Sequence, residues 1–183
     1  MTRLNDDEKP PFSGRFLRVE HVDSSPDEFG LQLHAEVVRS EIGPERPPRI
    51  SISVTNTSSR AQYWATPYQK VFGAIDSIEQ DPGLILLGDG FLTFPSDVTL
   101  RPTNQNLAVD SKYHSLTLDP NETLQRERNV WDSPENNGEP FQIGTYRFES
   151  HYEQYSPGAK ADEQPDGRFE WGFSLAVTAE TRD

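Results

Sequence analysis

Leu31, Leu33, Ala35 and Val37 alternate with Gln32, His34 and Glu36, and this period of two puts the four apolar side chains on one face of an extended segment. The same period returns at Ile50, Ile52 and Val54, and again at Tyr146, Phe148, Ser150 and Tyr152 after Gly144. It is longest over Phe169, Trp171, Phe173, Leu175 and Val177. Each run predicts a half-buried β-strand. Shorter or looser strands are expected over residues 15–22, 62–64, 71–78, 84–87, 113–118 and 124–131. In the first of these Phe16 and Val19 are too irregular for a clean alternation, but the composition suits a short edge strand.

Turn chemistry separates the runs. Gly43, Pro44, Pro47 and Pro48 forbid a continuing strand or helix. The clusters Asn56-Thr57-Ser58-Ser59, Asp119-Pro120-Asn121-Glu122 and Ser133 to Gly138 each favour a chain reversal. Residues 96–112 are polar without a period and read as a long loop. With no helical period of useful length, the pattern predicts an all-β fold, an immunoglobulin-like antiparallel β-sandwich over residues 15–183. Residues 1–14 are polar and hold Pro10 and Pro11, so they read as a flexible acidic tail.

The chain has 183 residues, a length that one core can serve. Only 33% of them are hydrophobic, which predicts a thin two-layered core with wide polar faces. Seventeen Lys and Arg stand against 30 Asp and Glu, a formal net charge of −13 that repels phosphate backbones and anionic membranes. Neither nucleic acid nor a membrane is therefore an expected partner. Four of the cations are Lys (Lys9, Lys70, Lys112 and Lys160), which leaves 13 Arg. An acidic, lysine-poor surface is the pattern of proteins that work in concentrated salt, where the Debye length shrinks to about 3 Å. Asp6, Asp7 and Glu8 stand where a secretory leader would be apolar, and no later run approaches about 18 apolar residues. The expected compartment is the cytoplasm, or the exterior if a leader has been removed.

The absence of cysteine excludes disulfides, thiolate nucleophiles and Cys-ligated metals. No Gly-x-Ser-x-Gly elbow, His-Glu-x-x-His motif, P-loop or Gly-x-Gly-x-x-Gly turn occurs. His21, His34, His114 and His151 are scattered, with His34 and His114 at outward strand positions. The acidic clusters at Asp23, Asp27 and Glu28 and at Asp162, Glu163 and Asp166 lack the alternating oxygens and central Gly of an EF-hand. No catalytic residue, metal ligand or cofactor is expected. Asn56-Thr57-Ser58 and Asn121-Glu122-Thr123 fit the N-glycosylation pattern, which matters only outside the cell.

Two groups remain as candidates for binding. Tyr63, Trp64 and Tyr68 gather rigid aromatic area near Pro67, although Trp64 is also placed to fill a sandwich core. Leu87 and Leu92 mark two apolar segments, 84–87 and 91–94, that read either as ordinary strands or as extended chain offered to a partner.

Residues 50–57 (ISISVTNT), 118–131 (LDPNETLQRERNVW) and 144–148 (GTYRF) resemble bacterial and archaeal immunoglobulin-like modules, and more narrowly the domain family of the intracellular proteinase inhibitor of bacilli. Asn121 stands where that family favours Gly, and Ile143 where it favours Pro. The resemblance implies a sandwich, and the residues themselves give Gly144 a sharp entry to the strand and place Tyr146 to pin the corner through its hydroxyl. It also implies inhibition of subtilisin-like proteases as one activity. Together the features predict a non-enzymatic module whose partner is another protein, with proteinase inhibition as one alternative and a carbohydrate-active or metal-dependent hydrolase as another.

Overall fold

The alternating runs assemble into two antiparallel five-stranded sheets packed face to face. The computed structural model describes residues 13–43, 46–66, 75–76, 83–88, 114–133, 135–136, 138–156, 159 and 164–179. Its strands are β1 (Arg15–Val22), β2 (Leu31–Arg39), β3 (Arg49–Asn56), β4 (Gln62–Thr66), β5 (Ile75–Asp76), β6 (Leu84–Leu87), β7 (His114–Leu118), β8 (Thr123–Asp132), β9 (Gly144–Tyr155) and β10 (Gly167–Ala179). One sheet runs β1-β10-β9-β4-β7 and the other β2-β3-β8-β6-β5, the order of an immunoglobulin-like sandwich. The expected loop over 96–112 and most of the expected strand over 71–78 lie outside the described residues.

The core is filled by the alternation read above. Leu33, Ala35, Ile50, Ile52 and Val54 face Phe148, Trp171, Phe173, Leu175 and Val177, all buried. Phe148 stacks on Phe173 with ring centres 5.4 Å apart, and Trp171 tilts against Phe173 at 5.8 Å.

Two irregular sequence patterns have structural causes. In β1 Leu17 is wholly buried while Phe16, on the opposite face, is only half-buried, and a bulge between Val19 and His21 breaks the period further on. The apolar run of β6 is buried on both faces, which removes the need to alternate. Leu87 is therefore a core residue, and its place fits the strand reading of 84–87 rather than a docking segment.

The β8–β9 corner is held by polar groups. The Tyr146 hydroxyl donates to the Gln142 carbonyl at 2.6 Å, the corner expected from the sequence. Burial is the main reason the Tyr146 phenol is pushed up to about 12, with the Asp132 carboxylate adding to it and Arg15 opposing. Buried Asp132 accepts bonds from the Asn136 amide at 3.0 Å and the Phe141 N–H at 2.9 Å. Arg15 donates to the carbonyls of Pro140 and Phe141 at 2.8 and 2.7 Å. These bonds hold wholly buried Phe141 at φ 51, a left-handed conformation that a bulky residue adopts only when its surroundings impose it.

Candidate binding surface

On β9 the core-facing positions are Tyr146, Phe148, Ser150 and Tyr152, so Arg147, Glu149, His151, Glu153 and Tyr155 face outward. On β10 the outward positions include Arg168, Glu170 and Gly172. Register then decides which of these meet: Arg168 lies opposite Glu153, Glu170 opposite His151, and Gly172 opposite Glu149. On β4, Tyr63 lies opposite Tyr155 and Ala65 opposite Glu153. Cross-strand partners sit about 5 Å apart, so Tyr63, Tyr155, Glu153 and Arg168 form one patch.

One end of this face is open. A groove of about 440 Å³ is lined by His151, Tyr152, Glu153, Arg168, Phe169 and Glu170. Across it, Arg168 Nε meets Glu153 Oε1 at 2.9 Å and His151 Nδ1 meets Glu170 Oε1 at 3.1 Å. The Tyr155 hydroxyl donates to Glu153 Oε2 at 2.8 Å, so each oxygen of that carboxylate has a partner. The Glu153 side chain is only 12% exposed whereas that of Arg168 is 69% exposed. The guanidinium thus covers the carboxylate and presents its free edge to solvent.

Beneath the groove lies an aromatic floor. Tyr152 stacks on Phe169 at 5.0 Å, Phe169 on Phe29 at 5.2 Å, and Trp64 meets both Phe169 and Phe29 edge-on. Burial raises the Tyr152 phenol above its ordinary value, with a hydrogen bond to Ser150 opposing. Phe29 reaches this stack from a 3₁₀ turn (Asp27–Phe29) ended by Gly30 at φ 59. A Cβ at Gly30 would sit 2.9 Å from that of Ser58, so both the conformation and the space call for glycine.

The other end of the face is closed. Arg147 forms two hydrogen bonds to the Asp23 carboxylate, one of 2.9 Å and one shorter, and reaches Glu149 at 3.2 Å. Asp23 also accepts the Gly172 N–H at 2.9 Å, and its own carbonyl takes the Trp171 indole N–H at 3.1 Å. The Arg147 bond holds the Asp23 carboxyl below its ordinary value, against the opposing effect of burial. The guanidinium crosses directly over Gly172, where a Cβ would lie 2.1 Å from the Phe148 carbonyl and 2.8 Å from Arg147 Nη2.

Of the sequence candidates, Tyr63 belongs to the open patch. Trp64, its neighbour, turns inward and is buried, its indole N–H donating to Gln62 Oε1 at 2.9 Å, as core packing requires. Tyr68 and Leu92 lie outside the described residues. Glu153, Tyr155 and Arg168 were not singled out, although outward alternation on β9 and β10 was their signal. The two sequons also separate. Asn56 is the buried last residue of β3, not a turn residue, and its amide donates to the carbonyls of Arg60 and Leu118 at 2.8 and 2.9 Å. Asn121 is exposed at φ 63, the left-handed turn geometry expected of it.

Among the described residues no group of three or more His, Asp or Glu is placed to hold a metal, and no helix is long and apolar enough to cross a membrane. No known protein family, curated protein or solved structure matches the chain.

Proposed function

We propose that the chain is a non-enzymatic module that binds another protein through the open end of its first sheet. The observation that carries this reading is the cross-strand pair Tyr63 and Tyr155 beside a groove edged by His151, Glu153, Arg168 and Glu170. Tyrosine offers broad contact area at low entropic cost, and Arg is favoured at interface centres. Both Glu153 oxygens are engaged, so this carboxylate is better suited to orient Arg168 than to accept a proton in catalysis. The net charge of −13 and the scarcity of Lys support work in concentrated salt as part of the same reading.

Affinity capture in parallel with the wild type and with the double variant Tyr155→Ala, Arg168→Glu tests the proposal. The expected result is a partner held by the wild type and released by the variant at unchanged melting temperature. Equal capture by both proteins would remove this face as the site. Stoichiometric metal together with hydrolase activity in the purified protein would replace the binding reading by an enzymatic one.

A further inference from the structure

We infer that β7 takes up an extended, cationic segment of the partner as an added strand, an inference that rests on the protein-binding reading above. Each sheet ends in two terminal strands, and an unguarded terminal strand is a template for pairing. Among the described residues, two of the four are defended. On β1, the Leu17 N–H bonds the Ser40 carbonyl at 2.8 Å and the Arg15 carbonyl accepts the Ile42 N–H at 3.2 Å, so its first half is covered. The rest of β1 is bent by the bulge near Glu20 and carries exposed Arg18, Glu20 and His21. On β2, Ser25 Oγ accepts the Leu33 N–H at 2.7 Å and approaches the Leu33 carbonyl at 3.3 Å, occupying both backbone groups, and a second bulge lies between Val37 and Arg39. Of the third, β5, only Ile75–Asp76 lie among the described residues, so it takes no part in the comparison.

β7 is more regular, although its Leu118 carbonyl accepts the Asn56 amide at 2.9 Å. Its five residues pair with β4 in unbroken register from Leu118 to His114, without bulge or proline. The segment Ser115-Leu116-Thr117-Leu118 carries no charge, and Ser115 and Thr117 are exposed. Among the described residues no strand pairs with its far side. It also borders the candidate surface, because β4 joins β7 on one side and Tyr155 of β9 on the other. An added strand would gain affinity from backbone hydrogen bonds and specificity from alternate side chains.

The charge of the occupant follows from what flanks β7. Asp119 and Glu122 are exposed in the turn that follows it, and exposed Arg60 lies near the end of β7, since the Asn56 amide donates to the carbonyls of both Arg60 and Leu118. A segment with Lys or Arg at the end that reaches Asp119 is complementary. A second copy of this acidic chain is not, since each copy brings the same −13. In concentrated salt the long-range attraction is screened, and only the direct contact with Asp119 and Glu122 persists.

The probe is a displayed library of linear peptides selected against the full chain, with the selected peptides made synthetically. Expected are basic peptides that slow amide exchange across Ser115, Leu116 and Thr117. N-methylation at alternate peptide amides should lower their affinity about tenfold or more, which corresponds to about one hydrogen bond. Thr117→Lys should weaken them similarly at unchanged melting temperature, and Asp119→Asn by a smaller factor. Peptides that protect β9 and β10 but not β7 would overturn this inference and leave the protein-binding reading standing. Acidic peptides on β7, or a dimer with β7 protected, would overturn the stated occupant. A library without any binder would overturn the inference too, while the capture experiment still judges the surface by itself.

Discussion

Two Arg–carboxylate contacts sit on the same face of the same sheet, yet only one of them closes it. At the Gly172 end, Arg147 and Asp23 are 14% and 27% exposed, and the carboxylate also accepts a backbone N–H, so the contact ties the end of β1 across β10 to β9. At the other end, Arg168 hangs largely in solvent over Glu153 and bounds a groove. The difference comes from the strand between the partners. A glycine at position 172 lets the guanidinium lie flat on backbone, whereas Arg168 and Glu170 stand up from β10 and leave a channel. A salt bridge is thus structural or receptive according to what lies beneath it, because burial and added hydrogen bonds set its worth.

The largest effects should fall at the closed end. Trp171→Ala should cost about 3–5 kcal/mol, since the ring is buried and its N–H is bonded to Asp23. Gly172→Ala should cost about 3 kcal/mol, because its methyl meets the Phe148 carbonyl rather than a yielding side chain. Denaturant unfolding measures both, and a loss under about 1 kcal/mol for either would mean the closed end is not closed.

Asp23→Asn should cost about 1–3 kcal/mol near neutral pH, the range for a hydrogen bond to a charged group. The Asp23 carboxyl is depressed in the folded state below its ordinary 3.8, so its contribution is complete above that value and is lost as pH falls through the folded one. The gap between wild type and variant should therefore narrow below pH 3.8. A gap constant down to pH 2 would assign the cost to something other than the charge.

Salt sharpens the comparison. The melting temperature of the wild type should rise with KCl as the self-repulsion of −13 is screened. Between about 0.1 and 1 M KCl the cost of Asp23→Asn should persist, whereas any cost of Arg168→Ala should vanish. A flat or falling wild-type curve would refute the salt-adapted surface. The smallest effect is that of Arg168→Ala or Glu170→Ala in dilute buffer, under about 1 kcal/mol, since exposed pairs contribute little. A larger loss would show that the groove's ion pairs are structural in the way the clamp is.

Strands with a clean period of two were legible because each buries one face only. β2, β3, β9 and β10 contain the runs that announced them. β1 was blurred by its bulge, and β6 and the end of β8 by burial on both faces, which hides the alternation at Leu87 and Trp131. The Tyr146 corner was legible because its hydroxyl bonds a residue four positions earlier. The candidate surface was legible only at Tyr63. Its partners lie far along the chain and meet by register: Tyr63 with Tyr155, Glu153 with Arg168. Non-local pairing leaves no trace in spacing, and Asp23 with Arg147 is a further instance, separated by 124 positions.

The defended strands β1 and β2 have a consequence for crowding at high concentration. Growth of a fibre requires two complementary attachment points on every molecule, so that each addition regenerates the end it consumes. Among the described residues, β1 and β2 withhold such points. A molecule that approaches β1 or β2 finds part of the strand's backbone already bonded and the rest bent by a bulge, so these two edges do not pass an added strand on to a further copy.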